Sequence, residues 1–375
     1  MKKAKRFNFV SAIITAALSV LVTLGAVALV LWLRLGTPGL AVVSGFLHIN
    51  DRFVGEYDKN AVADAALDAM VESLGDRWSY YADPETYAAL QERRSNSYVG
   101  IGVTVTYEND GLHIQKVTGG GPAQAAGLLA GEIITAADGN DLTGENVYNG
   151  TDLIRGEEGT QVTLTVLDAT GVTRQVTVTR DRLKIQPVSA ELLEGNVGYI
   201  ALDNFYAGSA QHVKAAIEEL QAQGATALLF DMRNNPGGYL EELLDLLDYL
   251  LPEGDIFRSG DRSGPQKITT SDADCVDLPM AVLVNADSYS AAELFAAQLR
   301  ESVGAVIVGE ATCGKGYSQQ SFELPGERGI NISTKTYYTG AGQSLIGVGV
   351  VPDILVEQSG EQDDQLNAAL DSLTS

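Results

Sequence analysis

Three short segments of this 375-residue chain hold the groups that acyl transfer needs: donors for an oxyanion, a hydroxyl and a base. The first, Asp231-Met232-Arg233-Asn234-Asn235-Pro236-Gly237-Gly238, is a strand end running into a Pro-Gly-Gly turn that opens a helix. Such a turn presents backbone N–H groups that lack intrahelical acceptors. The second, Asn285-Ala286-Asp287-Ser288-Tyr289-Ser290-Ala291-Ala292-Glu293, sets Ser290 at a helix start. There the helix N-terminus favours an alkoxide, and the Ala291 amide can donate to a developing oxyanion. Ser288 and Ser290 also suit a plain N-cap, since Ser290 and Glu293 have the capping-box spacing. The third, Gly309-Glu310-Ala311-Thr312-Cys313-Gly314-Lys315-Gly316-Tyr317-Ser318-Gln319, places Lys315 among glycines beside an apolar strand. Desolvation there lowers an amine's pKa and lets it act as a neutral base. Taken singly, the three read as readily as a tight turn, a cap and a loop lysine. Gly309 and Gly314-Lys315 also mimic a phosphate loop, but Gly316 stands where the magnesium-binding Ser or Thr belongs, and residues 319–324 read as strand. Nucleotide binding is set aside on those two counts.

The elements that must position these segments follow from hydrophobic periodicity. Residues 197–202, 227–232, 280–285 and 305–309 are apolar runs of strand length, separated by helical stretches at 210–223, 239–251 and 290–302. Continuous apolar strands alternating with helices predict an α/β core over 183–375, with a mostly parallel sheet covered by helices and its site at the strand C-termini. Before it, short strands separated by Gly-rich turns predict a β-rich module over 97–182, with a helical stretch at 147–154. Tyr98-Val99-Gly100-Ile101-Gly102-Val103, then Gly121-Pro122-Ala123-Gln124-Ala125-Ala126-Gly127-Leu128, then residues 130–139 resemble, in that order, a PDZ domain of the bacterial-protease type. The resemblance implies that Val99, Gly100, Ile101, Gly102 and Val103 take a peptide's terminal carboxylate on backbone N–H groups. Glycines there let the backbone approach an anion; they also serve as ordinary strand-entry residues. Residues 37–96 are helical in pattern and carry an aromatic cluster at Trp78, Tyr80 and Tyr81.

Composition narrows the function classes. Lys and Arg number 25 against 49 Asp and Glu, and the first 36 residues hold five of the cations and no acid. The remainder therefore sets 20 basic against 49 acidic residues, a balance of −29, which disfavours nucleic acid and anionic lipid as partners of the body. His48, His113 and His212 are too few and too scattered for a zinc hydrolase, and Cys275 and Cys313 make neither a metal cluster nor a disulfide scaffold. No metal or cofactor is expected. Residues 9–33 carry no charge, and 25 helical residues span roughly 37 Å against a hydrocarbon core of about 30 Å. Lys2, Lys3, Lys5 and Arg6 before that run, against Arg34 alone after it, put residues 1–36 down as a cytoplasmic tip and signal anchor. The chain is then a single-pass protein of the cell membrane whose body lies outside the cytoplasm, where Cys275 and Cys313 are free to form one disulfide. A cleaved signal peptide, cut near Ala26-Val27-Ala28, is the alternative.

Jointly the segments resemble the C-terminal processing peptidases, or tail-specific proteases. Ser290 is followed 25 residues later by Lys315 and four after that by Gln319, with Asn235-Pro236-Gly237-Gly238 and the PDZ-like module upstream and Gly347-Val348-Gly349-Val350-Val351-Pro352-Asp353 downstream. The resemblance covers residues 45–372. It implies that Ser290 is the nucleophile, Lys315 the general base and Gln319 the hydrogen-bond partner orienting it. The oxyanion hole would then comprise Ala291 N–H and an N–H of Gly237 or Gly238. It also implies protein or peptide substrates with apolar C-terminal tails, and leaves room for a homo-oligomer or an activating partner. Tyr289 and Ala292 depart from the family's Ser-Ala-Ser-Ala-Ser-Glu pattern, which puts subsite preference in question. A membrane-anchored PDZ adaptor or pseudo-protease that binds tails without cleaving them is the competing expectation.

Overall fold

In the computed structural model, residues 9–262, 266–358 and 362–374 are described. The chain divides at Met70 into two units. The first holds one long helix, Phe9–Arg52, interrupted where Gly36 takes a left-handed φ of 59°. It is long and apolar enough to cross a membrane. The cations at 2, 3, 5 and 6, on which the expected orientation rests, lie outside the described residues.

In the second unit the core is a six-stranded sheet ordered Val188–Leu193, Val197–Leu202, Ala227–Asp231, Met280–Val284, Val306–Gly309 and Ile354–Leu355. The first pair is antiparallel and the other four pairs are parallel. Strand alternation assigns the two faces. Leu228, Phe230, Val282 and Val284 pack with helices Ser209–Ala222, Leu240–Leu250 and Ala291–Val303. Leu229, Ala281, Leu283 and Val308 pack with Ala369 of helix Asp364–Thr374. Every residue of Ala227–Asp231 and Met280–Val284 is buried, as central strands covered on both faces require.

The PDZ-like region is a separate antiparallel sheet, Val103–Glu108, Gly111–Val117, Ile133–Ala137, Gln161–Leu167 and Thr173–Thr179, with its own core around Leu112, Ile114, Ile134 and Leu164. A two-stranded ribbon, Ser97–Gly100 with Asp181–Lys184, closes its two ends together. Between the strands Ser97–Gly100 and Val103–Glu108 the chain breaks at Ile101-Gly102, where Gly102 turns left-handed at φ 82°.

A further sheet has no counterpart in the sequence reading apart from part of one strand. Arg328–Tyr338 pairs antiparallel with Tyr80–Ala82, Gly254–Gly260 and Tyr317–Leu324, and Gly254–Gly260 pairs with Lys267–Ser271. These strands mix Thr, Ser, Asn and Gln with single apolar residues. They lack the strong alternation that marks a half-buried strand.

Candidate active site

Strand Met280–Val284 delivers the chain to a tight turn that precedes helix Ala291–Val303. Ser288, fully buried, holds that turn: its Oγ donates to Met232 O at 2.6 Å and accepts from Asn285 N at 3.0 Å. Two residues on, Ser290 has φ 62° and ψ −118°, a conformation costly for a residue with a Cβ. Its N–H donates to Glu293 Oε2 at 2.9 Å, so the capping spacing is used with the carboxylate as acceptor. The hydroxyl of Tyr337, whose surroundings include the Ser290 side chain, donates its proton to Lys315 O at 2.5 Å. Burial first, then the Glu293 charge, pushes the Tyr337 phenol up and keeps it neutral.

The Pro-Gly-Gly turn lies directly against Ser290. A Cβ at Gly237, whose φ is 81°, would sit 2.8 Å from Ser290 Cβ and from Ala291 N. Fully buried Asn235 pins the turn, donating from Nδ2 to Leu202 O at 2.7 Å and accepting Gly237 N–H on Oδ1 at 2.8 Å. Its backbone carbonyl takes the Tyr289 N–H at 3.1 Å. Of the two expected oxyanion donors in this turn, Gly237 N–H is therefore already engaged. Among the described residues neither Gly238 N–H nor Ala291 N–H has an acceptor.

Glu293 joins the third segment to the second. Fully buried, it accepts Thr312 Oγ1 at 2.6 Å and Gly314 N at 2.7 Å on Oε1, and Ser290 N at 2.9 Å and Lys315 N at 3.0 Å on Oε2. One carboxylate thus ties both backbone segments of the Ser290–Lys315 pair together. Burial lowers the Lys315 pKa to about 8, against the opposing pull of Glu293, Cys313 and Asp76. Its Nζ lies 4.7 Å from the centroid of the Trp78 ring and makes no hydrogen bond to Ser290 or Gln319 in this conformation. Gln319 Nε2 donates instead to Tyr317 O at 2.9 Å and Ser333 Oγ at 3.0 Å.

In the PDZ-like loop, Val99 N–H is taken by Glu92 Oε1 at 2.7 Å, and Gly100 pairs with Asp181 in the ribbon. Ile101 and Gly102 are buried, and their N–H groups have no acceptor among the described residues. Val103 begins a strand with one open edge. Of the residues expected to take a carboxylate, Val99 thus has its N–H committed elsewhere. Cys275 and Cys313 are both free thiols. Of the histidines, His212 Nδ1 bonds Gly208 O, while His113 groups with Glu108 and Asp110 on the PDZ-like hairpin Val103–Val117, one ligand atom of each within 4.8 Å of the others.

Asp76, Trp78, Glu293, Ser333 and Tyr337 have no assigned part in the sequence reading beyond the Glu293 cap. Glu293 was within reach, since a carboxylate in the first turn of a helix that also carries the serine has few bland reasons to be buried. The other four come from elements distant in sequence; Trp78 shows there only as one of an aromatic cluster, and Asp76, Ser333 and Tyr337 carry no local signal.

The model of peptidase family S41 matches residues 196–356, and that of the PDZ domain matches residues 99–180. The chain is 34% identical over 325 residues to a carboxyl-terminal-processing protease of Synechocystis, covering 82% of this chain and 76% of the relative. A carboxy-terminal-processing protease of Bartonella bacilliformis is 32% identical, covering 84% and 74%. Among solved structures, a photosystem II D1 C-terminal processing protease superposes with a TM-score of 0.52 at 28% identity, covering 91% of this chain and 92% of that one.

Proposed function

This chain belongs to peptidase family S41, the carboxyl-terminal-processing serine proteases, and carries a PDZ domain; on that premise we propose that it is an extracytoplasmic endopeptidase with a Ser290–Lys315 dyad that takes its substrates by apolar C-terminal tails. The observation that carries the reading is Glu293, which grips the backbone N–H groups of Ser290 and Lys315 on one oxygen while burial lowers the lysine's pKa. Neutral Lys315 accepts the Ser290 Oγ proton as the oxygen attacks a peptide carbonyl. The resulting oxyanion is met by the N–H groups of Ala291 and Gly238, and the Lys315 ammonium then gives its proton to the leaving amine. Water, deprotonated by the now neutral Lys315, attacks the acyl ester, and Lys315 returns that proton to Ser290 Oγ as the carboxylic product leaves. For this cycle the lysine must swing from the Trp78 ring to Ser290, so the conformation described is a resting one.

A free tail carboxylate has two N–H donors waiting, those of Ile101 and Gly102, and an open strand edge from Val103 along which the tail adds as a strand. The helix Phe9–Arg52 fits an uncleaved anchor, with the body outside the cytoplasm. The test is cleavage of an unfolded protein with an apolar free C-terminus by the full chain in detergent, beside Ser290→Ala, Lys315→Ala and the same substrate as a C-terminal amide. Cleavage that both variants abolish and the amide slows is expected. Cleavage persisting in Lys315→Ala overturns the dyad, and equal rates for acid and amide overturn tail capture.

A further inference from the structure

We propose that Asp76 is a positioning residue for the base: through Ser333 it orients the Gln319 amide, and with the Trp78 ring it holds the charged form of Lys315 in the resting conformation from which the amine is drawn to Ser290. This rests on the dyad reading above.

The segment reaches the site because strand Tyr80–Ala82 pairs with Gly329–Asn331, which sets Ser79 beside Ser333. Ser333 N donates to Ser79 Oγ at 3.0 Å, and Ser79 Oγ donates to Asp76 Oδ2 at 2.6 Å. Trp78 N also donates to Asp76 Oδ1 at 3.1 Å, so Asp76 reaches Ser333 through the Ser79 hydroxyl. Ser333 Oγ in turn accepts from Gln319 Nε2 at 3.0 Å, and the second N–H of that amide goes to Tyr317 O. With both amide protons committed, the group Gln319 can offer Lys315 is its Oε1, an acceptor suited to an amine or ammonium. Asp76 thus fixes the direction of a side chain that it does not touch.

The same carboxylate acts on Lys315 through space. Asp76, Glu293 and Cys313 favour the charged amine, Arg94 opposes it, and burial opposes it most. The Trp78 ring adds a cation–π surface 4.7 Å from Nζ, itself backed by Arg77 at 4.2 Å. Glu293 is bound to the backbone of the Lys315 loop, so Asp76 and Trp78 form the part of this environment that another region of the chain contributes. A turn-forming role alone, in which Asp76 merely accepts from Trp78 N and Ser79, would leave the titration of the base unmoved.

The experiment is kcat and KM against pH from 6.5 to 10 for the full chain on a peptide with an apolar free C-terminus. Asp76→Asn is expected to move the midpoint of the rising limb down by about half to one pH unit, since an opposing charge near the amine is lost. It is also expected to lower the plateau kcat about tenfold with KM little changed. Asp76→Glu is expected to restore the midpoint. Ser333→Ala keeps the charge and breaks the relay, so its kcat falls several-fold at an unmoved midpoint. A wild-type midpoint and kcat in both Asp76→Asn and Ser333→Ala overturns the proposal. So does a loss in Asp76→Asn that tracks a fall in Tm while the midpoint stays. If Asp76→Asn does not fold, Ser333→Ala decides, and an unchanged kcat there overturns it. Lys315→Ala keeps the two readings apart: activity surviving there overturns the dyad and this role together, whereas activity lost only there overturns this role alone.

Discussion

Four donors converge on the two oxygens of Glu293, two from the Thr312–Gly314 stretch and two from the backbones of Ser290 and Lys315. A carboxylate accepts on both oxygens, whereas an amide accepts on one and donates from the other end. In Glu293→Gln an NH2 group must face either the Ser290 and Lys315 N–H pair or the Thr312 hydroxyl with the Gly314 N–H, and each orphaned buried donor costs about 1–3 kcal/mol. The variant is expected to lose about 2–5 kcal/mol of stability on the same scale, read as a lower midpoint in urea denaturation; a midpoint equal to wild type would show the four bonds to be incidental. The catalytic consequence is read by pH. A lysine base works neutral, so kcat/KM is expected to rise with pH through about 8, the value to which burial brings Lys315. Glu293 pulls that value upward, and the midpoint in any Glu293→Gln protein that folds should lie lower. Activity flat from pH 6.5 to 9.5 in the wild-type chain would exclude Lys315 as the titrating base.

At the scale of elements, the site is a meeting of strand ends with one turn that admits no side chain. The Gly237 amide is bound by Asn235, and its Cα lies so near Ser290 that a methyl group would stand 2.8 Å from the Ser290 Cβ and the Ala291 nitrogen at a left-handed φ. Gly237→Ala must push the turn away from the serine, and with it the Gly238 N–H. Losing one oxyanion donor costs about 10²–10³ in kcat, so a fall of that order is expected, with KM changed far less. A kcat within threefold of wild type would place the oxyanion elsewhere. The turn and the serine were readable because both follow apolar strands and carry Gly, Pro and Ser at fixed offsets. The core strand Val197–Leu202 was legible to the residue for the same reason. The resemblance pointed to Gln319, but its present partners were not legible, because Ser333 and Tyr317 meet it through a hairpin register that only folding sets. Asp76 and Tyr337 were unreadable on related grounds: Asp76 is brought in by the short strand Tyr80–Ala82, whose partner lies more than two hundred residues on, and Tyr337 by pairing with Ser259 in a polar, irregular sheet.

Over the whole molecule, charge is the property that no single contact explains. Beyond residue 36 the chain sets 20 basic against 49 acidic residues, a field that acts on a substrate before any side chain touches it. The acids extend to the open-edged strand Val103–Glu108, where Glu108 is the last residue and Asp110 follows, both exposed. In the binding mode proposed above, a tail adding along that strand with its carboxylate at Ile101 and Gly102 runs past them. Two peptides with the same apolar C-terminus and the same scissile region, one with lysines and one with glutamates upstream, should therefore differ in encounter rather than in chemistry. At about 10 mM salt the Debye length is about 30 Å, and at about 0.5 M it is only a few ångströms. The basic peptide is expected to show a kcat/KM several-fold higher at the low salt, carried by KM, with the two converging at the high salt. A difference that persists unchanged in high salt would point to a specific subsite contact, and equal values at low salt would remove the field from the account of substrate choice.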